Sequence, residues 1–201
     1  IYGDRPPSAL ALTDKAFVIN GFSKYFTMTG WRLGWIVVPE AYLDPAERLA
    51  QNLFLACSTV AQHAALAALT PESIAICERQ RAEFAERRDY LAHALTEIGF
   101  VIPVLPEGAF YLYADCSRLT DDSFGFARTL LETAGVAITP GADFGSHRAN
   151  EHVRFAYTTS MASLREGVAR IAAHLEVHRK AHFNVKAPSC ASVASTLMST
   201  G

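Results

Sequence analysis

The chain has 201 residues, of which 50% are hydrophobic and 19% are charged. This much apolar surface can bury a sizeable core, which excludes a chain that is disordered throughout. The 18 Lys and Arg residues nearly balance the 20 Asp and Glu residues, and the formal net charge is -2. No field of one sign is available to hold a nucleic-acid backbone or an anionic membrane surface, so neither is expected as a partner.

The apolar runs and the cysteines bear on membrane insertion and on cellular location. The longest apolar stretches are interrupted well before the ~20 residues that a membrane-spanning helix needs. Cys57, Cys77, Cys116 and Cys190 lie far apart and form no C-x-x-C pair for zinc or redox chemistry. With no apolar signal segment ahead of them, a reducing, cytoplasmic location is expected. The chain opens with Ile1 rather than Met, so we expect it to be a fragment.

The first half of the chain predicts two strands followed by helices. Apolar runs at residues 16–22 and 31–39 favour strands on either side of a polar loop. An Ala- and Leu-rich segment, residues 45–69, predicts one or two helices with a break near residues 57–59. Apolar side chains at spacings of three, four and seven then predict a long amphipathic helix over residues 72–98.

The second half has a different pattern. Short runs rich in β-branched and aromatic residues favour strands at residues 101–106, 109–115, 136–141 and 153–157. A helix is predicted over residues 123–134, and a final helix near a capping box formed by Ser163 and Glu166. Strands and helices mixed in this way predict a compact α+β domain. Periodicity is lost beyond His178, which predicts a disordered tail over residues 179–201.

Lys24 is the most chemically suggestive residue of the polar loop. Of the four lysines in the chain, it alone follows a predicted strand among apolar and aromatic neighbours. Such a lysine would lose hydration and be more easily deprotonated, as an amine must be to attack a carbonyl. On position alone, Lys24 is more often a surface lysine, whose aliphatic stem lies along apolar surface while its amine reaches solvent.

A longer motif surrounds this lysine. The pattern S-K-x-x-x-M-T-G-W-R-x-G is formed by Ser23, Lys24, Met28, Thr29, Gly30, Trp31, Arg32 and Gly34. It resembles the cofactor-lysine signature of class I/II aminotransferases, the fold-type I enzymes that use pyridoxal 5′-phosphate. The resemblance implies that Lys24 binds the cofactor aldehyde as a Schiff base and, once freed by substrate, carries a proton between substrate and cofactor.

The same resemblance implies contacts to the cofactor phosphate. Arg32 would clamp it, because a planar guanidinium can make paired hydrogen bonds to an anion. Gly30 and Gly34 are expected to let the backbone turn tightly around this arginine. Several relatives carry a hydroxyl three residues before the lysine, where this chain has Gly21, so Ser23 is the hydroxyl expected to contact the cofactor.

Two further positions match family motifs. Tyr2 falls where a D-x-x-Y motif places a tyrosine that hydrogen-bonds the cofactor's phenolic oxygen; otherwise it is an aromatic residue at a strand end. Arg154, in the run VRFAYTTS, resembles the small-domain arginine that binds the substrate α-carboxylate; otherwise it is an arginine at a strand edge. Tyr111 lies near the substrate or, more often for such an aromatic, in the core. His147 and His152 lack metal-ligand spacing and are expected to be solvated.

The resemblance also implies an architecture and an activity. The fold would be α/β, with residues 1–45 ending the large cofactor-binding domain, 46–98 forming connecting helices and 99–178 forming the small α+β domain. A homodimer would transfer an α-amino group from an amino acid to a 2-oxo acid, without a metal. The alternatives are a lyase or synthase of the same fold and a non-catalytic truncated module. Because other family site residues lie upstream of this segment, weak or no activity is expected of the 201 residues alone.

Overall fold

A computed structural model of the chain describes residues 1–185, which form two compact units. The first unit contains Ile1–Glu86 and Glu107–Ala109, and the second contains Arg87–Pro106 and the described residues from Phe110 onward. Of the predicted tail, the first seven residues continue the last helix, and residues 186–201 lie outside the described part of the chain.

The strands β1 (Val18–Gly21) and β2 (Gly34–Val37) form an antiparallel pair in the first unit. Both lie within the predicted apolar runs, so this prediction is confirmed. At the end of the ladder, Gly21 is paired with Gly34. A Cβ atom on Gly34 would lie 2.7 Å from the carbonyl oxygen of Asn20, so a side chain cannot be accommodated there without moving the backbone.

Three helices follow the strands: α1 (Leu43–Phe54), α2 (Thr59–Ala68) and α3 (Pro71–Glu97). The predicted break between the first two is confirmed. A tight turn at Leu55, whose φ is 62°, ends α1, and the Ala56 amide donates to the Phe54 carbonyl at 2.7 Å. The Ser58 hydroxyl then accepts from the Ala61 amide at 3.4 Å and caps α2. The long helix predicted next is confirmed as α3.

The core of the first unit lies between α2 and the segment that joins the two strands, residues 22–33, here called the lysine loop. Phe22 and Met28 of this loop are buried together with Ala65 of α2. Further apolar side chains pack around them: Phe26, Leu33, Ala64 and Ala68. By contrast, α1 buries none of its residues. The lysine loop is therefore anchored by its own core residues rather than lying free on the surface.

The second unit contains a three-stranded antiparallel sheet. Its strands are β3 (Tyr111–Asp115), β4 (Thr139–Pro140) and β5 (His152–Ala156), in the order β3-β5-β4. Three of the four runs predicted to be strands overlap them. Because side chains alternate along a strand, Val153 of the central strand β5 is buried while Arg154 lies on the opposite face.

The fourth run, residues 101–106, is not a strand, so that prediction is wrong. Only Val101 pairs, as a single bridge with Asp115. Pro103 and Pro106 explain the difference, because proline has no N–H to donate to a ladder.

The helix predicted over residues 123–134 is confirmed, in two parts. It begins as α4 (Ser123–Thr129) and ends in a wider π-helical turn (Leu130–Ala134). The Asp122 carboxylate caps its start by accepting from the Gly125 amide at 3.0 Å.

The last helix, α5 (Met161–Val185), starts at a different cap from the predicted one. The Ser160 hydroxyl accepts from the Ser163 amide at 3.2 Å, so Ser160 is the capping residue and Ser163 lies in the first turn. Glu166 pairs with Arg170 one turn later at 2.5 Å. The capping box predicted from Ser163 and Glu166 is therefore wrong, because a second serine three residues earlier offers the same hydroxyl where the chain enters the helix.

Within residues 1–185, none of the helices has the length and apolar character needed to cross a membrane.

Candidate active site

The lysine loop is closed at its base by backbone hydrogen bonds. The Phe22 amide donates to the Leu33 carbonyl at 3.1 Å, and the Met28 amide donates to the Phe22 carbonyl at 3.0 Å. Inside the loop, the Thr29 hydroxyl donates to the Ser23 carbonyl at 2.6 Å. These bonds hold the segment in a fixed shape before any ligand is considered.

Two residues of the lysine loop adopt the left-handed backbone conformation, Thr27 at φ 55° and Arg32 at φ 52°. For residues other than glycine this costs on the order of 1–3 kcal/mol, and such strain is concentrated at functional sites. In this conformation the Thr27 amide donates to the Lys24 carbonyl at 3.0 Å. Gly30 lies in a single 3₁₀ turn, Thr29–Trp31, directly before Arg32, and neither Gly30 nor Gly34 has a positive φ. Gly34 is required by strand pairing, and the left-handed residue is Arg32 itself.

Lys24 is exposed, so the expectation that it has lost its hydration is wrong for this chain. The reason is local: Phe22 and Met28 take the buried positions of the loop, and Lys24 lies in the turn between them. Lys24 and Ser23 both line an open cleft of about 1000 Å³ in the first unit. An amine in such a cleft is accessible to a carbonyl compound from solvent.

Arg32 is exposed and lines a second cleft of the first unit, of about 760 Å³. Its Nη1 donates to the Thr29 carbonyl at 3.0 Å, which braces the guanidinium against the loop. Ser58, the cap of α2, lines the same cleft. A guanidinium beside a helix N-terminus, which carries partial positive charge, suits an anion such as a phosphate. The structure thus places Lys24 and Arg32 in one unit but in different clefts.

Tyr2 contacts its own chain. Its hydroxyl donates to the Ala109 carbonyl, and its amide donates to the Glu107 carbonyl at 2.8 Å. No strand is described at Tyr2 itself. In this structure the hydroxyl expected to contact a cofactor is bound to a backbone oxygen.

Tyr25 and Glu78 form a contact that the sequence did not predict. The Tyr25 hydroxyl donates to Glu78 Oε1 at 2.6 Å, and Arg81 Nε donates to Glu78 Oε2 at 2.8 Å. The hydrogen bond to Glu78 raises the pKa of Tyr25 to about 12. The hydrogen bonds from Tyr25 and then Arg81 lower the pKa of Glu78. The pair lies 53 residues apart in sequence, and no local pattern signals such a contact.

Arg154 lies in the second unit, on the central strand, where Tyr113 and Thr139 are its partners across β3 and β4. Its Nη2 donates weakly to the Thr139 hydroxyl at 3.4 Å. Its guanidinium carbon lies 4.7 Å from the ring centre of Phe144 and 5.3 Å from that of Tyr111. Tyr111 is 37% exposed, so of the two interpretations the structure favours a residue that faces a cleft over a core residue.

A cleft of about 500 Å³ lies beside this guanidinium, lined by Tyr111, Tyr113, Phe144, Gly145, Ser146, His147 and Arg154. Among the described residues, the buried Nε of Arg154 has no hydrogen-bond partner. An unpaired buried donor is costly, and a carboxylate is the group that pairs with it best. The arrangement is therefore suited to bind an anion next to aromatic rings. Phe144 was not predicted as a site residue.

The two loop histidines behave differently from each other. His147 is exposed, as expected, but His152 is 8% exposed, so its predicted solvation is wrong. His152 begins β5 and stacks on Tyr113, with ring centres 4.9 Å apart and planes at 11°. Within residues 1–185, no group of three or more His, Cys, Asp or Glu side chains is placed to hold a metal ion.

Comparison with known proteins adds a family context. The family model for aminotransferases of class I and II matches residues 3–171. A valine–pyruvate aminotransferase of Mycobacterium tuberculosis is 37% identical over 177 residues, which cover 87% of this chain and 46% of that protein. An aspartate aminotransferase of Streptomyces avermitilis is 37% identical over 185 residues, covering 85% and 44%.

A solved structure agrees with these matches. The crystal structure of an aminotransferase from Mycobacterium tuberculosis superposes with a TM-score of 0.82 at 37% identity, covering 86% of this chain and 45% of that one. The α/β fold class predicted from the sequence is thereby confirmed. The chain spans somewhat less than half the length of these relatives.

Proposed function

Because this chain belongs to the class I and II aminotransferases, we propose that the protein transfers an α-amino group from an amino acid to a 2-oxo acid, with pyridoxal 5′-phosphate as cofactor. The observation that carries the proposal is Lys24, an exposed amine in an open cleft, on a loop held in one shape by its own hydrogen bonds. The anion-binding features around Arg32 and Arg154 support it. Lys24 lies within the region that the family model matches, residues 3–171.

The residues present fit this cofactor. Lys24 offers an amine for the aldehyde, and Ser23 lines the same cleft. Arg32, beside the capped start of α2, offers charge and N–H donors for the phosphate. Tyr2 is a further proposed contact, and to reach a ligand its hydroxyl would have to leave the Ala109 carbonyl. When bound, the cofactor supplies an electron sink for the bonds at the substrate α-carbon.

The chain's own residues would then perform two tasks. Once freed by substrate, the Lys24 amine would take the proton from the substrate α-carbon and carry it onward, which is general acid–base catalysis. Arg154 pairs with the substrate α-carboxylate, and its unpaired Nε–H gains an acceptor. The rings of Tyr111 and Phe144 lie beside that guanidinium.

The domain layout, assembly and location are part of the same proposal. The layout assigns residues 1–45 to a large domain, 46–98 to connecting helices and 99–178 to a small domain. A homodimer is typical of the family. A cytoplasmic location is supported by the cysteines of the described residues, because Cys57, Cys77 and Cys116 are all free thiols.

The experiment is a visible absorption titration of the purified chain with pyridoxal 5′-phosphate, followed by borohydride reduction and mass mapping. We expect a band of lysine-bound cofactor and a reduced adduct on Lys24, and neither in Lys24→Ala. Lys15→Ala is the matched control, because Lys15 is an exposed lysine of the same unit. A folded chain that gives no adduct on Lys24, or gives equal adducts on both lysines, would contradict the proposal. Release of 2-oxo acid from an amino donor is then assayed, and weak or no turnover is expected.

A further inference from the structure

The residue directly after Lys24 is tied to helix α3. Tyr25 is half-buried, and its hydroxyl donates to Glu78 Oε1 at 2.6 Å. Glu78 is held in turn by Arg81, one turn further along α3, at 2.8 Å, and by Arg5 at 3.7 Å. Both carboxylate oxygens therefore have partners, and the side chain has little freedom to release the tyrosine.

The contacts that hold the Tyr25 hydroxyl through Glu78, here called the tether, extend beyond α3. Arg81 Nη1 also donates to the Ile1 carbonyl at 3.3 Å. Tyr25, Glu78, Arg81 and Arg5 line the same cleft as Lys24, and all belong to the first unit. Because the pKa of Glu78 is lowered and that of Tyr25 is raised, at neutral pH Glu78 is ionised and accepts while Tyr25 is neutral and donates. Such charge-assisted hydrogen bonds are the stronger kind.

Other contacts hold the remainder of the lysine loop. The buried side chains Phe22 and Met28 fix the two flanks of the loop. Between them, the Thr27 amide donates to the Lys24 carbonyl, a bond inside the turn that does not attach it to another element. The Tyr25–Glu78 hydrogen bond thus adds a polar side-chain contact between the lysine turn and helix α3.

We propose that Glu78 is a positioning residue for Lys24: by holding Tyr25 it fixes the backbone from which the lysine side chain enters the cleft. The inference rests on the proposed function, in which Lys24 is the reacting amine. Without the tether, the turn would populate other arrangements, and the reactive fraction of Lys24 would fall. A fall to a fifth would slow cofactor binding roughly fivefold.

The test compares Glu78→Gln, Tyr25→Phe and the double variant by two readouts. The first is the rate at which pyridoxal 5′-phosphate forms the borohydride-trapped adduct on Lys24. The second is hydrogen exchange of the Thr27 amide, which reports the order of the turn without any cofactor. Tyr25→Phe keeps the ring packed, so it separates the hydrogen bond from the packing. Glu72→Gln, an exposed residue of the same helix, is the matched control.

We expect each single variant to slow adduct formation, roughly fivefold for Tyr25→Phe, and to speed Thr27 exchange. The double variant should be no worse than Tyr25→Phe alone, since Glu78→Gln weakens and Tyr25→Phe removes the same hydrogen bond. Unchanged exchange, or faster exchange with an unchanged adduct rate, would overturn the inference. If even the unmodified chain forms no adduct on Lys24, the proposed function fails, while the exchange data still decide whether Glu78 holds the turn. If one single variant shows no cooperative thermal unfolding, it is not folded, and the comparison is made with the other single variant alone.

Discussion

At the scale of single residues, the side chains that carry chemistry were predictable, but the backbone that presents them was not. Lys24 and Arg154 lie in motifs of distinctive composition, and both face clefts. The left-handed conformations of Thr27 and Arg32 have no such signal, because residues of these types rarely adopt them. A β-branched residue in this conformation is held there by the surrounding fold, which a local pattern does not contain.

The unpaired Nε of Arg154 gives a prediction at this scale. Arg154→Lys keeps the positive charge but removes the Nε–H and the planar fork. We expect the affinity for pyruvate, a simple 2-oxo acid, to fall roughly tenfold, or about 1.4 kcal/mol. Isothermal titration calorimetry of the purified chain measures it. Arg148→Lys is the control, because Arg148 is exposed and pairs with Glu151. Equal losses in the two variants would contradict the assigned role.

At the scale of elements, the existence of the helices was easier to predict than their ends. The helices α3 and α5 follow long apolar periodicities, whereas the cap of α5 is decided by which of two serines enters the helix first. For residues 101–106 even the existence of the element was predicted wrongly. The apolar run was interpreted as a strand, although its prolines have no N–H for strand pairing. The contact between the lysine loop and α3 joins residues 53 apart and lies beyond any such local rule.

That contact predicts how stability depends on pH. The folded pKa of Glu78 lies below its unfolded value, chiefly through the Tyr25 hydrogen bond and then that of Arg81. Its contribution to stability is therefore complete above the unfolded pKa and is lost as the pH falls through the folded pKa. Urea unfolding at a series of pH values should show a smaller loss of stability on acidification for Glu78→Gln than for the unchanged chain. Parallel curves for the two proteins would rule this out.

At the scale of the whole molecule, the two units differ in how completely they are packed. The nine largest fully buried side chains of residues 1–185 all belong to the second unit: Leu95, Phe100, Leu112, Cys116, Ser123, Leu130, Val153, Tyr157 and Ile171. The first unit has a smaller core, and its helix α1 buries nothing. The fold class followed from the sequence, but this imbalance could not, because apolar residues are abundant in both halves and only packing shows which are covered.

The imbalance predicts an order of unfolding. Cys77 lies in the first unit and Cys116 in the second, and both are buried free thiols. Burial raises the pKa of both thiols, to about 11 for Cys116, so neither should react readily in the folded chain. In pulses of iodoacetamide at increasing urea, we expect mass mapping to find Cys77 labelled at a lower urea concentration than Cys116. Exposed Cys57 serves as the control that reacts throughout. Labelling in the reverse order would show that the larger core is not the more stable one.

The central place of β5 in its sheet has a consequence for how this chain can change over generations. Because β5 is paired on both sides and its side chains alternate, deleting one residue within it would turn Arg154 towards the core and bring Phe155 to the cleft. Insertions and deletions should therefore accumulate in the loop before the strand and spare the strand itself. In this part of the molecule, the number of residues is under as strong a constraint as their identity.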